Sequence, residues 1–360
     1  MTETKSSTRR AAEHTGARVR PGLTSPQLPT VELDPRPVYD FLLSACYECG
    51  EMDDLLPEDR GWLSEGRAQL ARQAGAGFLS CMGFVTELGR LLVLRPELKT
   101  ARQVVAAVDK LDDSQLLEIL VGELVESPEL GSITRRALDG DAAAFRDLSS
   151  QLEIHKGHSV LPESLSDLVP VARGVTRAWL PRFEEVEARV VRMIERDVAG
   201  RPSAEIAADP LGFVERTTSG VRLVPDSSVR RIVLAPTYFG RPYNSLSRVG
   251  DIQLICYPIA DSALGAASLT TPAAATVRLY RALGDETRLR ILKLLAERDR
   301  YLTELATELA LSKPTISHHL AQLRAAGLVT TTDQGTMTYY TLRRERIQEA
   351  GPELGTFLAR

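Results

Sequence analysis

Aromatic side chains are scarce in this 360-residue chain, at 5% of residues. With Ala, Leu, Val and Arg abundant, that scarcity points to mainly helical packing. Four cysteines are too few for a disulfide framework and fit a reducing compartment. No apolar run reaches the roughly 18 residues of a membrane-spanning helix. The first 30 residues are polar and contain no hydrophobic segment of the secretory type, so the expected location is cytoplasmic. A phosphate-cradling glycine loop, a G-x-S-x-G elbow and an H-E-x-x-H pair are all missing. No catalytic residue, cofactor or metal is therefore assigned.

What is present is enough chain for two domains, each with its own core. The net charge of −4 is unevenly spread. Residues 1–29 hold five basic and two acidic side chains, and residues 276–360 hold thirteen and ten. Each end is thus +3, which leaves −10 for the body between them. A mildly basic end on an acidic body suits nucleic-acid binding confined to one domain.

Residues 1–30 read as a disordered tail ending in Pro21, Pro26 and Pro29. From Pro37 to about Val198 the apolar spacing is helical, with stripes at Val38–Ala45, Leu79–Leu92, Leu116–Leu124 and Val186–Val198. Asp113-Ser114 precedes one of these helices as a capping signal. Near Gly220 the pattern turns to short strands, at 221–224, 229–234 and 252–257. The expected fold of residues 31–262 is mainly α with a small antiparallel sheet near 221–258. A linker at 263–274 leads to an α+β winged helix-turn-helix over residues 275–360.

That last segment is the most explicit. A short helix runs from Ala274 to Leu283, and Asp285 caps the next, in which Leu289, Leu292 and Leu295 make the buried stripe. Leu302–Leu309, with Thr303 as its cap, is followed by a tight turn at Ala310-Leu311. Ser312 then caps a helix from Lys313 to Ala325, where Pro314 is tolerated because it lies in the first turn. Two helices joined by so short a turn, the second with a polar outward face, have the form of a helix-turn-helix.

At about 100° per residue, Ile316, Leu320 and Leu323 share one face and must be core. Pro314, Ser317, His318, Ala321 and Gln322 lie opposite, with Thr315 at the edge. Hydroxyls, an amide and an imidazole on that arc suit base edges, and Ser312 and Lys313 suit a phosphate. His319 borders the buried stripe and is read as packing. A hairpin at 327–342, turning at Asp333-Gln334-Gly335, is the wing, with threonines facing outward. A final amphipathic helix covers about Arg344 to Leu358.

Ala282-Leu283-Gly284-Asp285-Glu286-Thr287-Arg288-Leu289-Arg290-Ile291-Leu292, Leu311-Ser312-Lys313-Pro314-Thr315-Ile316-Ser317-His318-His319-Leu320 and Leu323-Arg324-Ala325-Ala326-Gly327-Leu328-Val329 together resemble the ArsR-type bacterial regulators. The resemblance covers about 275–345 and implies a homodimer on a palindromic double-stranded DNA operator, usually as a repressor. It implies dimerisation through the helices flanking the domain. By position it makes Ser312, Thr315, Ser317, His318 and Gln322 DNA contacts. Two departures stand out. Where many relatives carry a thiolate pair for metal, this chain has Tyr301 and Thr303, and no histidine follows His319. The wing turn carries Asp333, which repels phosphate.

Elsewhere, Cys46-x-x-Cys49 and His155-x-x-His158 lack further ligands at metal spacing and are read as structural. Tyr238, Arg241 and Tyr243, in an aromatic loop between strands, are the candidate pocket for a small-molecule effector, against the alternative of a loop that packs on the helices. The reading is a DNA-binding regulator, homodimeric and most simply a repressor, with affinity tuned by residues 31–262. The alternatives are an enzyme domain fused to a DNA reader, or an interaction module without a ligand.

Overall fold

The computed structural model describes residues 28–46, 50–74, 82–156, 161–223, 228–265, 273–334 and 337–359. The tail read as disordered lies outside the described residues except for its last three positions. So do Cys49, His158, most of the 263–274 linker, and the side chains of His155 and Asp333.

The body is helical, as its apolar spacing predicts. Val38–Ala45 is buried along its whole length. The long stripe ending at Leu92 resolves into Met82–Thr86 and Leu88–Leu94. The stripe at 116–124 divides into Asp113–Leu120 and Gly122–Glu126. The cap of the first of these is Asp112 rather than Asp113, its Oδ1 accepting from the Gln115 amide at 2.9 Å. Leu168–Glu184 runs through the centre. Its Trp179 donates to the Ser44 hydroxyl at 2.8 Å, and its Phe183 meets Phe41 edge-on at 5.5 Å.

Four strands form the body's sheet: β1 (Thr30–Leu33), β3 (Arg231–Thr237), β4 (Ser245–Val249) and β5 (Ile252–Pro258), in the order β1-β3-β5-β4. The expected antiparallel sheet is thereby corrected. β1 and β5 both run parallel to β3, and only the β4–β5 hairpin is antiparallel. The reason is burial on both faces. Val233, Ala235, Leu254 and Cys256 pack on the helical bundle, while Ile232, Leu234, Ile255 and Tyr257 pack on Phe213 and Val214. Continuous apolar runs of this kind belong to covered, parallel strands, whereas one-sided antiparallel sheets alternate.

The loop after β3 is fixed from below. Asp40, fully buried, accepts from the backbone N–H of Tyr238 (2.9 and 3.0 Å) and of Phe239 (2.7 Å). Burial pushes its carboxyl up to about 7, against the pull of those two amides. Gly50 packs so tightly here that a Cβ would lie 2.2 Å from the Phe239 carbonyl oxygen, so no other residue fits.

The C-terminal unit has a core of its own, built on Leu279, Ile291, Leu305, Ile316, Leu320, Leu323 and Leu328. Its helices are Ala274–Leu283, Glu286–Leu295, Leu302–Leu309, Lys313–Ala325 and Arg344–Leu358. The wing is β7 (Val329–Gln334) and β8 (Met337–Leu342), with β6 (Arg300–Tyr301) on the far edge of β8. The segment read as a strand at 221–224 leaves the body's sheet. As β2 (Val221–Arg222) it pairs in parallel with Thr331 and Thr332 of β7. Gly220 makes this junction at a φ of +121°, and a Cβ there would strike the Thr330 methyl at 2.7 Å.

Candidate nucleic-acid interface

Helix Lys313–Ala325 is set by its neighbours in sequence. Leu302–Leu309 ends on Ala310, in the left-handed conformation with φ 56°. That single residue turns the chain so that Ser312 can start the next helix. The Ser312 hydroxyl accepts from the Thr315 amide at 3.3 Å and bonds the Thr315 hydroxyl at 2.7 Å. The preceding helix starts at Leu302, one residue ahead of the expected Thr303 cap. There the Glu304 carboxylate accepts from the Tyr301 amide at 3.2 Å.

Ile316, Leu320 and Leu323 are buried, while Lys313, Pro314, Thr315, Ser317 and His318 are exposed. Ala321 and Gln322 are half-buried. The structure therefore places the hydroxyls and the imidazole of the sequence-predicted face together at the surface, on the first two turns. Gln322 stands apart from them. Its carbonyl oxygen accepts from the buried Arg288 guanidinium, and its amide nitrogen lies 2.9 Å from His318 Nε2. With the carbonyl taken by Arg288, the amide nitrogen donates to Nε2, which leaves the ring N–H at Nδ1. An N–H donor of that kind matches the O6 and N7 acceptors of guanine.

Arg288 is the residue whose role the sequence pattern concealed. Its guanidinium also donates to the carbonyls of Ala282 (2.9 Å) and Arg281 (2.7 Å), tying three helices together. Leu289, expected in the buried stripe, is instead 49% exposed. The buried stripe is Arg288, Ile291, Leu292 and Leu295, about 100° around the helix from Leu289. The signal lies in the spacing of 288, 291, 292 and 295; an aliphatic residue next door hides it.

Asp285 caps that helix, accepting from the Arg288 amide at 2.9 Å, and this bond holds its carboxyl below the ordinary range. His319 packs at the border, as expected, with Nδ1 3.8 Å from Asp285. Burial lowers its pKa, partly opposed by that carboxylate. Tyr301, at a position the resemblance gives to a thiolate, meets Tyr339 edge-on at 6.1 Å.

The wing differs from expectation in its threonines. Thr330 and Thr331 are buried because β2 covers the outer edge of β7. They are not offered to a phosphate backbone.

The pocket candidates also separate. Tyr238 is fully buried, its hydroxyl donating to Asp59 and accepting from the Leu56 amide, both at 2.7 Å. Arg241 is 1% exposed and holds the carbonyls of Asp54 and Ile259 and the carboxylate of Asp261. Both are structural. Tyr243 alone of the three reaches a cavity, a cleft of about 570 Å3 between the body and helix Lys313–Ala325.

Comparison with known proteins bears on this geometry. The family model described as "Bacterial regulatory protein, arsR family" matches residues 285–331. The chain is 43% identical over 72 residues to an uncharacterized HTH-type transcriptional regulator of Methanocaldococcus jannaschii, a stretch covering 81% of that protein and 20% of this one. The chain belongs to the arsR family.

Two further regulators align over stretches of similar length. HTH-type transcriptional regulator KmtR of Mycobacterium tuberculosis is 40% identical over 73 residues, 20% of this chain and 56% of KmtR. Transcriptional activator HlyU of Vibrio cholerae is 37% identical over 75 residues, 21% of this chain and 69% of HlyU. The chain thus spans little more than half the length of KmtR. About four-fifths of this arsR-family chain lies beyond the matched segments. The family match gives residues 285–331 the helix-turn-helix of bacterial regulatory proteins. Among the described residues, no helix is long and apolar enough to cross a membrane.

Proposed function

We propose that the protein is a homodimeric, sequence-specific binder of double-stranded DNA that represses transcription, with residues 31–262 acting as a regulatory rather than a catalytic body. The observation that carries this reading is the first half of helix Lys313–Ala325. It presents Thr315, Ser317 and His318 outward from a fully buried Ile316–Leu320–Leu323 seam. Such a helix is rigid on its inner side and chemically varied on its outer side, which is what base-edge recognition in the major groove requires.

Dimerisation is supported by an apolar surface on the two flanking helices. Val277 and Tyr280 on one, and Ile347, Leu354 and Leu358 on the other, are all exposed. The Tyr280 hydroxyl donates to the Ala350 carbonyl at 2.7 Å, so the two helices form one continuous face. Exposed apolar patches of this kind mark association surfaces. Val277→Glu with Leu354→Glu should convert the protein to a monomer in light scattering. Operator affinity should fall by at least about tenfold as the second half-site is lost. A variant that stays dimeric would place the interface elsewhere.

The cleft beside Tyr243 falls within the roughly 300–1,000 Å3 of small-molecule sites, which supports an effector acting through the body. The experiment that tests the function is operator binding by purified protein, read together with a reporter placed behind the recovered operator. Deleting the gene should raise the reporter's expression. A fall on deletion would make the protein an activator.

A further inference from the structure

We propose that the N-terminal body masks the His318–Ala321 side of the base-reading face of its own recognition helix, so that the two must separate before a duplex can enter. This rests on the reading of Lys313–Ala325 as the DNA reader. The cleft of about 570 Å3 has His318, Ala321 and Arg324 on one wall and Glu51, Tyr243 and Asn244 on the other. A helix docked in a major groove about 12 Å wide has a phosphate backbone on each side and base edges in front. Here the space in front of His318 belongs to the protein. A small ligand fits in it; a duplex does not.

Three sets of contacts hold this closed arrangement. The first is ionic: Arg278 pairs with Asp54, and Arg281 pairs with Asp53 at 3.0 Å. The second is β2, a two-residue strand from the body lying along the wing, supported by Arg343 donating to the Ser219 carbonyl at 3.2 Å. The third is the Asp261 carboxylate, which accepts from the Ala275 amide at 3.0 Å at the start of the C-terminal unit. Each set is small. The exposed Arg281–Asp53 pair contributes little, the largely buried Arg278–Asp54 pair is the stronger of the two, and two strand residues add few ladder bonds. Contacts of this strength suit a reversible opening better than a permanent joint.

The charges follow the same logic. Glu51, Asp53 and Asp54 lie in one short acidic stretch of the body. Opposite stand Arg278, Arg281 and Arg324 of the DNA-binding unit. Carboxylates occupy the place that phosphates would compete for. Arg278 is largely buried, and desolvation with the neighbouring Arg346 lowers its pKa to about 10. Asp54 is its one ion-pair partner among the described residues.

The test uses the full chain with Arg278→Gln and Arg281→Gln together. DNA binding is measured by fluorescence anisotropy on the duplex recovered by selection, with random duplex as the control. Removing two positive charges should weaken DNA binding on charge alone. Masking gives the opposite sign: a roughly tenfold gain on the operator, as the competent fraction rises. Asp53→Asn with Asp54→Asn should produce the same gain on the operator. Unchanged or weaker operator binding by both doubles overturns the masking.

Hydrogen exchange on the unaltered protein provides a readout that no variant can spoil by misfolding. The amides that pair β2 with β7 should be protected in the free protein and exchange faster in the DNA complex. Equal protection in both states overturns the proposal. If neither the unaltered chain nor the doubles select any duplex, the DNA-reading assignment itself falls, and the masking with it.

Discussion

A protein carrying Ser317→Ala and His318→Ala should lose about 100-fold in operator affinity and less than about threefold on random duplex. The argument is one of contact type. Both side chains are exposed on the outward face of the recognition helix. A single base-edge hydrogen bond contributes about 0.5–1.5 kcal/mol, and two together about as much as a good bidentate pair. Removing both side chains together gives a change of the stated size. The phosphate-facing groups at the helix start, Ser312 and Lys313, are untouched, so the sequence-independent part of the affinity remains. Stability should be unaffected, because neither side chain enters the core. Anisotropy titrations on both duplexes at one fixed salt concentration read the ratio. Equal reductions on the two would mean that this face holds the backbone and does not read bases.

Arg288→Met should lower both stability and recognition. The guanidinium is buried and holds the carbonyls of Arg281 and Ala282 together with the Gln322 amide oxygen. Hydrogen bonds to a charged group contribute about 1.5–3 kcal/mol each. Met restores much of the packing but none of the donors. The expected destabilisation is about 3 kcal/mol, the size of one or two such bonds. Recognition should fail at least about tenfold on the operator even where the protein remains folded. Gln322 then has no anchor for its carbonyl, and His318 loses the amide that fixes its ring. Denaturant titration and operator binding on the same preparation separate the two effects. A variant with native stability and native specificity would show that Arg288 and Gln322 position nothing.

How much of this is legible in the sequence differs between the two halves for a physical reason. The DNA-binding unit is built from local signals. Ser312 and Asp285 cap the helices expected of them, Pro314 sits in a first turn, and the Ile316–Leu320–Leu323 seam is buried as the helical wheel predicts. Each of these depends on residues at most a few positions apart. Sheet partners do not. β3 pairs with β1, some two hundred residues earlier in the chain, and nothing in the local pattern of Thr30–Leu33 announces it. β2 is too short to show any period, so its move to the wing is invisible in the sequence.

Burial of polar groups is equally hard to foresee. Tyr238 and Arg241 carry the chemistry of a binding site, and a sequence cannot say that Asp59, Asp54, Ile259 and Asp261 satisfy them from inside. Arg288 is hidden the same way: beside Leu289 it looks like the solvent-facing residue of the pair, and the packing reverses that.

The most direct test is an unbiased selection from random duplexes, performed with the unaltered protein and with the Arg278→Gln, Arg281→Gln double in parallel. The enriched sequences should contain two inverted half-sites about one helical turn apart, roughly 10 base pairs centre to centre, and the double should recover the same motif more readily. A pool that stays random for both proteins would contradict the claim that Lys313–Ala325 enters a groove.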